Sequence, residues 1–474
     1  MKVNKITNYV IVALVIAAVY QTGELWLSGT MRHNFFYAIT DLFSKDHTDQ
    51  LSSNALLMTR YAIGDGASNF YVSYPDSAGN SDTLEIADAV LQEIWSENIG
   101  KNIEMLDADW KSMLQNRCIV LDYGFLISMD EYLANIRSLK NGQDLEQFDY
   151  IILAPARRTG EESKAYFVNS YTNEAICYTA YKSKSAPTLY PLLQPEQSDM
   201  VYISTGQKTG SAVLRHNQFL PQWASLPYSY ATVDAQAAFE ENNALSRTLL
   251  ENTAEHFFGN FSLDWSTRDE NGNFIFSDSS VVLKYYPRSR ILEYYNYDNY
   301  GSDEAKTSLL DGYQICKNFL KNDASLQTSV YLSEISTNGN EQIYYFDYAV
   351  NDIPIQLSES IQEQIGATHA IEITIQNESV KKYRRYAYNF SASNTHATLN
   401  VPFIDALDTA NRLYQETIGM RDITEVQNIF LAYDIQENTG NTLCWFVTLY
   451  DETFSIPADN TTQNITETED TATS

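Results

Sequence analysis

Residues able to do chemistry are scattered along this chain rather than gathered. Six histidines, His33, His47, His216, His256, His369 and His396, stand apart from one another. None lies four residues from another and none follows a glutamate by three, so the spacings that set two zinc ligands on one helix face are missing. Most of them read as surface residues. Asp107 and Asp109 offer neighbouring carboxylates for acid–base work, but acids just before a helix serve first to cap its free N–H groups and complement its dipole. The stretch Gly206 to Gly210 resembles a phosphate loop around Lys208; it lacks the glycine directly before the lysine, and a turn is expected instead. Asp269, Asn271 and Asn273 alternate oxygen atoms as a calcium loop does. The glycine there is misplaced and Ser280 stands where a bidentate glutamate is required, so the stretch reads as a hairpin tip. With no Gly-x-Ser-x-Gly elbow and no dinucleotide fingerprint after a strand, the expectation is a non-enzyme with no catalytic residue, metal or cofactor.

Four cysteines, Cys118, Cys177, Cys316 and Cys444, are spaced too widely for a zinc or redox motif. They read as small buried hydrophobes, with an isolated bridge left open. The chain has 474 residues, 44% apolar and 13% aromatic, enough for about three units of ~150 residues each. Its 31 basic against 61 acidic residues leave a net charge of −30. That sign repels phosphate backbones, so nucleic acid is excluded as a partner, as is a surface gripping anionic lipid along its length. The 34 tyrosines favour antiparallel strands over helical bundles.

Elements that must hold such residues begin with an apolar run. Lys2 and Lys5 precede Ile6 to Leu27, which as a helix would span roughly 33 Å, enough to cross a bilayer. The stretch has no small-x-small cleavage site at its end, so it reads as an uncleaved single-pass anchor in the cell membrane. The two lysines place the N-terminus in the cytoplasm and the bulk of the chain outside. Ala13 and Ala17 have the small-xxx-small spacing that lets a second helix approach, and Gln21 extends that stripe with a polar group. These three residues are the candidate contacts with a transmembrane partner.

Beyond the anchor the pattern is α+β. Periodicity predicts a helix over Leu84 to Ile99, a second after Asp107 and a third opened by the capping box Ser128 to Glu131. Strands are predicted over Cys118 to Ile127, Phe148 to Leu153, Ala165 to Asn169 and Glu174 to Lys182. The second half carries a pattern repeat. Strands through Tyr295, a helix over Asp303 to Leu320 capped by Ser302, and strands Val330 to Ser336 and Gln342 to Val350 form one set. Strands Ala370 to Gln376 and Lys382 to Phe390, a helix over Pro402 to Ile418, and strands Val426 to Gln436 and Thr442 to Tyr450 form the other. The expected organisation is therefore a cytoplasmic start and anchor over 1–27, a juxtamembrane segment over 28–50 and an N-terminal α+β domain over 51–230. A middle β-rich domain over 231–350, a C-terminal α+β domain over 351–455 and a disordered acidic, threonine-rich tail over 456–474 complete it.

Several stretches resemble a known family. His256–Asp264, Asp269–Asp278, Ile291–Tyr295 and Ile343–Pro354, with Leu25, Trp26 and Leu27 after a single anchor, are similar to YycH proteins of Gram-positive bacteria. The resemblance covers nearly the whole layout but only short runs of residues, and none is a catalytic signature. It implies a membrane-anchored accessory protein that, with the related YycI, controls a sensor histidine kinase governing cell-wall metabolism. It also implies two similar strand-helix-strand domains of the YycI or PepSY type, and contacts to the kinase through the anchor helix and external domains. The alternative is an extracytoplasmic PepSY-like module that binds a ligand or inhibits a peptidase.

Overall fold

The computed structural model describes residues 57–75, 81–98, 103–134, 145–194, 201–208, 213–215, 217–222, 227–240, 243–258, 266–278, 280–297, 307–419, 425–436, 441–450 and 452–459. The anchor with Ala13, Ala17 and Gln21, His33, His47, His216 and the tail from 460 lie outside them. Among the described residues no helix is long and apolar enough to cross a membrane.

Nine antiparallel strands make the first sheet. They are β1 (Arg60–Asp65), β2 (Phe70–Ser73), β3 (Met105–Asp107), β4 (Arg117–Ser128), β5 (Gln147–Ala154), β6 (Ser163–Asn169), β7 (Glu174–Ala180), β8 (Val201–Ser204) and β9 (Phe219–Gln222), in the order β3-β7-β6-β5-β4-β1-β2-β8-β9. Period-2 alternation sends Ile119, Leu121 and Tyr123 of β4 to one face and Cys118 and Val120 to the other. Both faces are covered, which explains why the central strands read as unbroken apolar runs. Helix α1 (Ser81–Asn98) lays Leu84, Val90, Leu91, Ile94 and Trp95 on the first face, where Trp95 meets Tyr178 edge-on at 4.5 Å. Short α2 (Trp110–Met113) closes the other face with Trp110 and Met113. α3 (Met129–Ala134) lies beside β4, while α4 (Ala186–Leu192) and α5 (Thr205–Lys208) lead to the last two strands.

The second sheet has twelve strands. β10 (Tyr228–Ala237) and α6 (Ala244–Phe258) precede it, and its own members start with β11 (Ser266–Arg268), β12 (Phe274–Ser277), β13 (Val281–Tyr286) and β14 (Ile291–Asn296). After α7 (Leu309–Leu320) come β15 (Ser329–Asn338), β16 (Glu341–Val350) and β17 (Ile353–Leu357), then α8 (Glu359–Ile365), β18 (Ile371–Gln376) and β19 (Ser379–Tyr386). β20 (Tyr388–Leu399) turns away to pair with β10 as a two-stranded ribbon, and α9 (Phe403–Thr417) leads into β21 (Val426–Ile435), β22 (Thr442–Leu449) and β23 (Glu452–Pro457). The sheet order is β11-β12-β13-β14-β19-β18-β16-β17-β21-β22-β23, with β15 paired to β16.

The two stretches read above as a repeat do not close two sheets of their own. Hairpin β18/β19 inserts between β14 and β16, and α7 packs over β16, β18 and β19, so strands from both stretches share one layer. Order along the chain carries no information on which distant edges pair. α7 begins at Leu309, because Ser308 is extended (φ −70°, ψ 155°) and its hydroxyl accepts the Asp311 N–H at 3.1 Å, while the expected start at Asp303 with its cap Ser302 lies outside the described residues. The expected strand over Lys382 to Phe390 is broken at Ala387, where the chain leaves one sheet for the ribbon. At the other end β23 carries Ile456 into the core at 2% exposure, so the sheet continues past residue 455.

Candidate functional site

The two sheets meet across a polar cleft that holds a cavity of about 520 Å³, within the range of small-molecule sites. One wall comes from β1, β4 and β5. Arg60 and Asp122 are cross-strand partners, and the Arg60 Nε donates to Asp122 Oδ2 at 2.7 Å. Burial works against the Arg60 cation, yet the Asp122 carboxylate together with Tyr74 and Tyr150 outweighs it and the guanidinium pKa is raised. The register of β4 against β5 slips between Asp122 and Ile127. Gly124 stands in this bulge at φ +69°, and its N–H donates to Asp122 Oδ1 at 3.0 Å. A Cβ there would come within 2.7 Å of Thr59 Oγ1, so the strand approaches its neighbours closely only because it has a glycine.

Asp149, on β5, is 4% exposed. Its Oδ1 accepts the Ser170 N–H at 2.8 Å and its Oδ2 accepts the Ser170 hydroxyl. Among the described residues no cation is paired with it. Burial pushes its carboxyl up to about 6, with the Asp122 charge adding to the effect and the Ser170 bonds opposing it.

The facing wall comes from the second sheet. Asp347 on β16 accepts the Ser333 hydroxyl at 2.6 Å, the His369 Nδ1 at 2.8 Å and the Ala370 N–H at 2.9 Å. His369 Nε2 lies 3.5 Å from Glu334. Burial alone would lower the imidazole pKa, but the two carboxylates outweigh it and the net shift is upward. Tyr331 reaches across to Tyr74 of the first wall, ring centroids 4.4 Å apart.

Two latches hold the walls together. The turn joining β16 to β17 has Asn351 at φ +52° and Asp352 at φ +60°, the two left-handed residues that a two-residue hairpin turn requires. It presents Asp352 to Tyr71 Oη (2.8 Å) and Ser73 Oγ (2.7 Å) of β2. In the second latch Val426 N–H donates to Val213 O at 2.8 Å, and Gln218 Nε2 donates to Val426 O and Gln427 O at 3.2 and 3.1 Å. Arg215 pairs with Glu425 beside it.

The residues first considered for chemistry have structural employment. Asp109 caps α2 by accepting the Ser112 N–H at 3.2 Å, while Asp107 ends β3. Gly206 to Lys208 lie in the single turn α5. Asp269 accepts the N–H groups of Asn271 and Asn273, both at 2.9 Å, at the β11–β12 hairpin tip. All four cysteines are free thiols, three of them buried. His256 bonds the Asn252 carbonyl on α6, and His396 lies in β20.

The cleft residues were not singled out by spacing. Asp122, Asp149 and Asp347 come from three separate strands, and a readable trace was available: each is a lone carboxylate inside an apolar run. His369, which its spacing left unremarked among the six histidines, is cradled between two acids.

No family model matches the sequence, and no curated protein matches it. Among solved structures, YycH from Bacillus subtilis is similar at 15% identity, with 86% of this chain and 98% of that chain covered and a TM-score of 0.51. An uncharacterized protein from Eubacterium rectale (13% identity, 54% and 89% covered, TM-score 0.31) and the Bacillus megaterium YpeB C-terminal domain (12%, 47% and 95%, TM-score 0.25) also match. The chain therefore has a strand-rich α+β fold of the YycH type.

Proposed function

We propose that this chain is a membrane-anchored, extracytoplasmic accessory protein that binds and modulates a sensor histidine kinase of a two-component system controlling cell-wall metabolism. The observation that carries the reading is the YycH-like fold, which covers 98% of the solved YycH chain. The single apolar run at Ile6 to Leu27 and the stretches that resemble YycH proteins support it. In this reading the anchor, through Ala13, Ala17 and Gln21, and the external domains contact the kinase together with a YycI-like protein. The mechanism is a difference in affinity: a partner surface that prefers one kinase conformation by ~1.4 kcal/mol changes the ratio of states tenfold.

The test is crosslinking of the membrane fraction followed by mass spectrometry. Recovery of a sensor kinase and a YycI-like protein is expected; recovery of neither, or release of a soluble product beginning near residue 20, removes the reading. Replacing both Ala13 and Ala17 with Leu is expected to weaken kinase association in a membrane two-hybrid assay, and unchanged association removes the helix contact. The second reading, a PepSY-like module that binds a ligand or inhibits a peptidase, is favoured by the cleft itself. Gene neighbourhood separates the two, with a kinase and response regulator beside the gene expected for the first and a secreted peptidase for the second.

A further inference from the structure

Charge in the cleft is almost, but not fully, balanced. Arg60 is committed to Asp122, Arg215 to Glu425, and His369 to Asp347 and Glu334. Among the described residues Asp149 has no cationic partner and is held by the neutral hydroxyl and amide of Ser170. A buried carboxylate bonded by neutral donors alone keeps most of its desolvation penalty, so it is the place where a positive group would gain most. A second observation points the same way. Gln218 lines this cavity at 3% exposure, and because its Nε2 faces the carbonyls of Val426 and Gln427, its Oε1 is fixed as an acceptor and has no donor. Asn217, also lining it, donates to Tyr150 Oη and likewise leaves its Oδ1 unpaired. Buried acceptors without donors are costly and rare. The surplus in the cleft is thus one negative charge and two acceptors, with aromatic faces from Tyr74, Tyr150 and Tyr331 beside them.

We infer that the cleft between the two sheets is a binding site for an organic ammonium ion, received by Asp149 and hydrogen-bonded by the free side-chain oxygens of Gln218 and Asn217. An ammonium group carries three N–H donors and a single positive charge, which is the complement of that surplus. An anion is disfavoured because both arginines are already neutralised.

Calorimetric titration of the purified full chain tests the site with three probes of similar length: pentylammonium for a free amine, acetyl-lysine N-methylamide for a lysyl side chain carried on a polypeptide, and neutral 1-pentanol. Saturable binding of either cation, at least about tenfold tighter than pentanol, is expected. The tighter of the two cations identifies the source. Asp149→Asn keeps the shape and removes the charge, and it is expected to weaken the cation by at least about tenfold while leaving the pentanol response unchanged. Absence of saturable binding by both cations, equal binding of pentanol, or full cation affinity in a folded D149N protein overturns the assignment. The pentanol comparison needs no variant, so the proposal stays open to refutation even if D149N fails to fold.

Discussion

Tyr71 and Asp352 are 281 residues apart in the chain, yet the Tyr71 hydroxyl donates to Asp352 Oδ2 at 2.8 Å. The carboxylate arrives there on a two-residue turn whose residues are both left-handed, and its other oxygen accepts from Ser73 at 2.7 Å. This is one of the bonds that sets the first sheet against the second. Hydrogen bonds to a charged acceptor contribute about 1.5–3 kcal/mol. Tyr71→Phe is therefore expected to lower stability by roughly 2 kcal/mol in urea denaturation. Asp352→Asn, which tolerates the same backbone, should show less than additive loss when combined with it. Additive losses would mean that the two groups do not interact.

Acid should stabilise this protein. The Asp149 carboxyl is pushed from 3.8 up to about 6, so the native state binds a proton before the unfolded state does. Its unfavourable contribution is full above pH ~6 and is relieved as pH falls toward ~4, a change of about 3 kcal/mol at 1.36 kcal/mol per unit. His369 acts in the neighbouring window: with its folded value raised above 6.5, the stability it adds is complete below 6.5 and lost as pH rises through the folded value. Denaturation midpoints measured between pH 4 and 8 are expected to fall with rising pH. Asp149→Asn should flatten the lower part of that profile and raise stability at pH 7. His369→Gln should flatten the upper part.

Arg385 and Asp323 form an ion pair at 2.6 Å with both side chains fully buried. The same carboxylate accepts from Tyr383 Oη at 2.7 Å and from Ser325, which ties the loop after α7 to β19. Arg385→Met leaves that charge buried, and a loss of about 3–5 kcal/mol is expected by thermal denaturation. The double change with Asp323→Asn should recover part of it. A single-variant loss below about 1 kcal/mol would show that water reaches the site.

Gly312 lies within α7, where alanine ordinarily stabilises a helix by about 1 kcal/mol. Here an added Cβ would fall 2.2 Å from Tyr344 Oη and 2.6 Å from Gln342 Oε1. Tyr344 cannot retreat freely, because its hydroxyl bonds the Leu309 carbonyl at 2.7 Å and Gln342 at 2.9 Å. Gly312→Ala is expected to destabilise by about 1–3 kcal/mol, opposite in sign to its helix propensity. Calorimetric melting reads that sign directly.

Much of the local structure was legible in the residues. The strands β4 to β7, helices α1 and α9, and the hairpin tip at Asp269 follow from apolar periodicity, caps and turn residues. β1, β2 and α6 were less visible, since they are short or lie among polar residues. Of the cleft, only the oddity of single aspartates in apolar strands could be read. What Asp149 or His369 faces depends on strands and loops more than twenty residues away in the chain.

By itself, then, the sequence determined the α+β class, the antiparallel bias and the periods that choose helix or strand, because these depend on neighbours within a turn or a pleat. Tertiary structure alone decided that hairpin β18/β19 inserts between β14 and β16, that two sheets close on a polar cleft, and that one aspartate there is held by the neutral donors of Ser170. Those outcomes turn on which distant edges pair and which surfaces are desolvated together. No spacing along the chain encodes either, because both are settled by the packing free energy of the whole fold.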